Sequence, residues 1–311
     1  MVEQVGIVGG GTAGRGVARA LAEAGVEVTL LEASDQRLAI SLENLKEGMD
    51  RDIGRWAITE AERDAVLARV TGRVSLEALQ SMPVVIEAIQ ENRRDKEELL
   101  RRLDRVCLPD TVILTNTSTL SVTTLSDVLS PRRRPYFVGL HFLHPVTRVS
   151  AVELVRGRDT GPEAVELARG IAELLEKELI EAAEYPGYIT TRLTLVLINE
   201  AVHALMEGVG TRDGIDRAMK LRFGWTHGPL ALADEMGLDS VVRALESLWG
   251  ELGLPQYRPC PLLRQMVTRG WFGEKSGRGF YRYDEAGTRL KDSALDLGRP
   301  RLAVLDDPDE S

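Results

Sequence analysis

The run VGIVGGGTAGRG, residues 5–16, constrains this chain more than any other stretch. Val5 to Val8 has the length and apolarity of a buried strand, and Val17 to Ala24 continues as a helix. Between them Gly9, Gly11 and Gly14 stand at GxGxxG spacing. The first glycine permits a tight turn, the second lets a pyrophosphate approach the backbone, and the third lets helix and strand pack closely. The helix N-terminus then offers N–H groups and a partial positive charge to phosphates. Gly9, Gly11, Thr12, Ala13 and Gly14 are therefore the candidate phosphate contacts. Val26 to Leu31 reads as a second strand ending at Glu32. An acid about 20 residues past the glycines is where ribose hydroxyls are held. Glu32 would repel a 2′-phosphate, so NAD is expected over NADP.

The alternation continues downstream. Ser34 to Thr71 reads as helical, with Ala61, Val66, Leu67 and Val70 on one face. Pro83 to Ala88, Thr111 to Thr115 and Tyr136 to Leu140 read as strands, the last stopping at His141. Val149 to Val155 and Leu179 to Ala183 extend the same set, with helices at Arg94 to Arg105 and from Pro162. Strands alternating with helices predict a Rossmann-type, mainly parallel α/β sheet covered on both faces. The character changes at Tyr185-Pro186-Gly187. Beyond it the pattern is helical, starting with Leu193, Val196, Leu197, Ala201, Ala204 and Leu205 at helical spacing. Two domains follow: 1–185, dinucleotide-binding, and 186–311, all-α. The tail from Asp284 is acidic and poor in apolar residues, which predicts a mobile end.

A formal net charge of −9 argues against a nucleic-acid footprint. The run Arg132-Arg133-Arg134, between two prolines, reads as a solvated loop. Cys107 and Cys260 fit no metal or redox spacing, and no metal site is expected. No signal peptide or apolar run of membrane-spanning length is present, so a cytoplasmic protein is expected.

Ligands of parallel sheets bind beyond the carboxyl ends of the strands. Glu87 and Glu91, Asn116 and Ser118, and His141 are all predicted there. Glu153, twelve residues after His141, lies in a following strand that can return beside it. A carboxylate-held histidine is a general base near neutral pH. With NAD adjacent, oxidation of an alcohol is the natural reaction.

These segments, with TNTSTLSVT, GLHFLHPVTRVSAVELVRG and GWFGEKSGRGFYRYD, resemble the L-3-hydroxyacyl-CoA dehydrogenase family from Val5 to about Tyr283. The resemblance implies His141 as catalytic base, Glu153 as its partner and Ser118 as a hydrogen-bond donor to the substrate oxygen. It implies Ala88, Glu91, Lys96, Asn116 and His144 around the NAD, and a helical C-terminal domain that dimerises and closes over an acyl-thioester substrate of fatty acid metabolism. Two positions depart from the family pattern: His144 and Thr191 each stand where asparagine is usual. Residues 42–49 are also less basic than the helix expected to meet CoA phosphates, leaving Lys46, Arg51 and Arg55 as candidates. Free hydroxy acids of carnitine or gulonate type, and carrier-protein thioesters, are therefore the alternative substrates. His203 and His227 are expected in structural or surface roles.

Overall fold

The computed structural model describes residues 2–284 and 287–290. The acidic tail lies beyond them, apart from a few residues up to Leu290. The chain divides into two compact units, one up to Tyr188 and one from Ile189.

The first unit is one sheet of eight strands: β1 (Gln4–Val8), β2 (Glu27–Leu31), β3 (Val70–Arg73), β4 (Val84–Glu87), β5 (Val112–Thr115), β6 (Phe137–Phe142), β7 (Ala151–Val155) and β8 (Glu178–Ala182). Their spatial order is β3-β2-β1-β4-β5-β6-β7-β8. All neighbours are parallel except β6 and β7. Strands β4, β5 and β6 are buried at every residue, as befits parallel strands covered on both faces. One face packs under α1 (Thr12–Glu23), α2 (Asp35–Gly54), α3 (Glu60–Ala68) and α6 (Pro162–Leu174). The other packs under α4 (Arg93–Val106) and the short α5 (Val122–Ser126). Helix starts follow local chemistry: Ser34 and Asn92 cap α2 and α4, and Thr59 with Glu62 forms a capping box on α3.

Three expectations are corrected here. Val70 and Thr71 do not continue a helix; they open β3, which pairs with β2, while Ala61 faces solvent. Four residues carry too little periodicity to distinguish a short edge strand from the end of a helix. His141 lies within β6, one residue before its end, because Phe142 still pairs with Val152. The arginine run is not all solvated. Arg133 is buried, donating to the carbonyls of Thr111 and Cys107 at 2.8 and 2.9 Å and pairing with Asp104 at 3.2 Å. Its five donors let it stitch the start of β5 to the end of α4.

The second unit comprises α7 (Thr190–Met206), α8 (Arg212–Phe223), α9 (Pro229–Met236), α10 (Leu238–Leu252) and α11 (Pro261–Thr268). The helical pattern read from Leu193 to Leu205 holds as α7. Leu195, Ile198, Ala201, Val202 and Leu205 are its buried apolar stripe, and Leu193 is 66% exposed. This helix is apolar around most of its circumference, so spacing alone does not choose the inward face. Asp216 and Asp234 are buried below the closing segment Phe280 to Tyr283. Asp216 accepts from Leu230 N, Ala231 N and Tyr281 Oη, and Asp234 from Phe280 N, Tyr281 N and Tyr283 Oη. No helix among the described residues is long and apolar enough to cross a membrane.

Candidate active site

The site is assembled where β1, β2, β4, β5 and β6 end. In the glycine loop, Gly9 has φ +105° and a Cβ there would lie 2.7 Å from the Ala88 carbonyl oxygen. A Cβ on Gly14 would lie 1.8 Å from the Gly9 oxygen, so strand, loop and helix meet at backbone contact. Gly11 is the opposite: a Cβ there meets no atom within 4 Å. That opening lies at the N-cap of α1, whose first turn has no side-chain cap and no acidic residue. Thr12, Ala13 and Gly14 thus present backbone N–H groups to a ligand. Glu32, directly after β2, accepts from Gly10 N at 2.7 Å and Ser41 Oγ at 3.2 Å through one oxygen. Its other oxygen accepts only Ala33 N, at 3.2 Å, among the described bonds, leaving capacity for a ribose diol. An open phosphate cradle beside an anchored carboxylate fits NAD.

The polar cluster beyond the next strands is built on two glutamates. Glu87, fully buried, accepts from Lys96 Nζ at 2.6 Å, Ile89 N at 2.9 Å and Thr115 Oγ1 at 2.7 Å. Glu91 gathers the following loop: Thr117 Oγ1, Ser118 N, Thr119 N and Thr119 Oγ1 all donate to its Oε1 at 2.7 to 2.9 Å. Ser118 Oγ lies 3.4 Å from the same oxygen, and Lys96 Nζ 3.5 Å from Oε2. Burial by itself would lift the Glu91 carboxyl, but the Lys96 ammonium and these donors hold it below the usual range. Burial likewise works against the Lys96 charge and is outweighed by Glu87 and Glu91, so its pKa is raised. Lys96 is therefore internal: any part it has in cofactor binding acts through Glu91.

His141 is set by the sheet. The antiparallel register of β6 and β7 places it directly opposite Glu153, and its Nδ1 lies 2.7 Å from Glu153 Oε2. Opposed residues of such a pair share one face with Cβ atoms about 4.5–5.5 Å apart, so the contact follows from the register. A carboxylate on Nδ1 selects the tautomer with Nε2 unprotonated, the state of a proton acceptor. Asn116 ties the neighbouring strand ends together, its N bonded to Glu87 O and its Oδ1 to Phe142 N, both at 2.8 Å. His144 is exposed just beyond β6. Thr191 sits in the first turn of α7 in the second unit. His203 and His227 belong to that unit as well, His203 within 3.9 Å of Glu207 and His227 exposed. Thr115, Thr117 and Thr119, which carry the hydrogen bonds of the cluster, were not expected from sequence. Their one visible signal is the density of hydroxyls in TNTST.

A sheet of this order, opened by a glycine loop and carrying a carboxylate after its second strand, is the framework on which NAD-dependent dehydrogenases are built. Residues 4–185 match the family model "3-hydroxyacyl-CoA dehydrogenase, NAD binding domain", and residues 187–283 match "3-hydroxyacyl-CoA dehydrogenase, C-terminal domain". The chain belongs to the 3-hydroxyacyl-CoA dehydrogenase family. It is 39% identical to the probable 3-hydroxybutyryl-CoA dehydrogenase of Bacillus subtilis over 91% of this chain and 98% of that protein. Identity to the 3-hydroxybutyryl-CoA dehydrogenase of Bradyrhizobium diazoefficiens is 35%, over 91% and 96%. Among solved structures, Mycobacterium tuberculosis FadB2 superposes with a TM-score of 0.84 at 32% identity, covering 91% of this chain and 99% of that one. The (S)-3-hydroxybutyryl-CoA dehydrogenase PaaH1 of Ralstonia eutropha gives 0.78 at 37% identity, covering 92% and 100%.

Proposed function

We propose that this enzyme oxidises the 3-hydroxyl of a 3-hydroxyacyl-CoA, with His141 Nε2 accepting the hydroxyl proton. The observation that carries this is the 2.7 Å contact of His141 Nδ1 with Glu153, which leaves the other ring nitrogen for chemistry. Bound NAD supplies the hydride acceptor. Glu153 stabilises the imidazolium that forms, and Ser118, held by Glu91, donates to the reacting oxygen. Thr191 is assigned a substrate-orienting hydroxyl on family resemblance. Lys46, Arg51 and Arg55 are the candidate contacts to CoA phosphates. The names of the relatives at 35–39% identity support a CoA thioester over a free hydroxy acid.

NADH formation measured with 3-hydroxybutyryl-CoA, longer hydroxyacyl-CoAs, carrier-protein thioesters and free hydroxy acids tests the substrate class. CoA thioesters are expected to give the highest kcat/KM; a preference for carnitine or gulonate would move the protein to the alternative class. His141→Ala should lower kcat by roughly 10² to 10⁴-fold, the contribution of a general base, with NADH affinity unchanged. Wild-type turnover in that variant would end the mechanism. Both cysteines are buried free thiols, which supports the reducing cytoplasm as the compartment.

A further inference from the structure

We propose that Tyr188 is a positioning residue for His141, its ring fixing the imidazole plane and its hydroxyl tying that ring to the loop that carries Ser118. The proposal rests on the reading of His141 as proton acceptor. Glu153 holds the imidazole at one nitrogen, and a ring held at one point can still tilt about that bond. The Tyr188 ring meets it edge-on, with centroids 5.8 Å apart and planes at 61°. This is a favoured aromatic arrangement and gives the imidazole a second constraint.

The rest of Tyr188 is equally determined. It is 4% exposed, and its hydroxyl donates to the Leu120 carbonyl at 3.1 Å. Leu120 N in turn donates to Thr117 Oγ1, which donates to Glu91. One side chain thus connects the base to the loop of Ser118, so the proton acceptor and the hydroxyl donor share a frame. Its backbone has φ +46°, directly after Gly187 at +80°. An aromatic residue in the left-handed region is an outlier that persists only where its surroundings over-determine it, and such residues cluster at functional sites. Burial first, then the carboxylates of Glu91, Glu184, Glu153 and Glu87, push the phenol pKa well above its ordinary value. The hydroxyl is therefore a donor at any working pH.

The test compares Tyr188→Phe, which keeps the ring and loses the tether, with Tyr188→Leu, which loses both. For each, kcat and KM for 3-hydroxybutyryl-CoA, the solvent deuterium isotope effect and NADH affinity are measured beside His141→Ala. Tyr188→Leu should lose kcat on the order of 10-fold to 100-fold, the penalty of a small misplacement at the reacting centre. KM and NADH affinity should hold, and the isotope effect should rise as proton transfer slows. Tyr188→Phe should recover most of that loss while staying below wild type. An inactive His141→Ala with unchanged kcat and isotope effect in both Tyr188 variants would overturn the proposal and leave the base assignment standing. An active His141→Ala would remove the base assignment itself, and the proposal with it. Should Tyr188→Leu not fold, Tyr188→Met makes the same comparison with a side chain of similar reach.

Discussion

At the scale of single residues, His141 is held at Nδ1 by Glu153, and neighbouring charges are neutralised within the protein. Lys96 and Glu87 form a buried ion pair, with side chains 1% and 0% exposed. Removing one partner of such a pair leaves an uncompensated buried charge. Lys96→Met should therefore destabilise by about 3–5 kcal/mol, read from denaturant unfolding. It should also loosen the Ser118 loop, because Glu91 loses its cation. A loss below about 1 kcal/mol would mean that water or a neighbour takes over the pairing. Glu32 has one oxygen anchored by Gly10 N and Ser41 Oγ, so the other is aimed and not free to swing, and we propose it as the ribose ligand. NAD should bind far better than NADP, and Glu32→Ala combined with Ala33→Arg should narrow or invert the ratio in a binding titration. An unchanged ratio would show that Glu32 is not the ribose ligand.

At the scale of elements, the closing segment of the second unit depends on Asp234. Burial lifts its carboxyl from the ordinary 3.8 to about 7, against the pull of the Tyr281 and Phe280 amides and the Tyr283 hydroxyl. A folded pKa above the unfolded one means the native state holds this proton more tightly. The stabilisation is complete below the unfolded pKa and is lost as pH rises through about 7. Asp234→Asn removes the titration and turns an amide N–H toward donors, at a cost of about 1–3 kcal/mol. Thermal midpoints of the two proteins, measured from roughly pH 5 to pH 8, should therefore converge as pH rises. A gap that stays constant over this range would show the carboxyl to be ionised throughout. Arg133 plays a comparable structural part in the first unit, joining α4 to β5 through backbone carbonyls.

At the scale of the whole molecule, the second unit exposes large apolar side chains. Leu193, Val209 and Leu221 are 66%, 77% and 76% exposed, and Phe223 stacks on Trp225 with centroids 4.8 Å apart. Exposed apolar groups of this size favour association with a complementary surface, and a second copy of this chain is the inferred partner. Sedimentation at micromolar concentration should give a dimer. Leu221→Glu combined with Phe223→Glu should shift it to monomer, whereas a monomeric wild type would remove the inference.

The primary structure alone made the strand, glycine loop and helix of the first crossover legible, because their signals are local. Glycine spacing, an apolar strand before it and an acid after the next strand lie within residues 5–32. It also made His141 and Glu153 legible as a pair, since each stands in a short apolar strand and a return of the chain can set them side by side. Only tertiary structure decided that the return is antiparallel, and with it the register that brings the two side chains together. The same holds for Arg133, for the inward face of α7 and for Glu91 as the anchor of the Ser118 loop. Tyr188 is the clearest case: it reaches Leu120 across 68 residues of sequence, and only the folded backbone sets it against His141. Local pattern records which residues prefer burial or a turn, whereas the partner a buried polar or aromatic group finds is fixed by long-range packing.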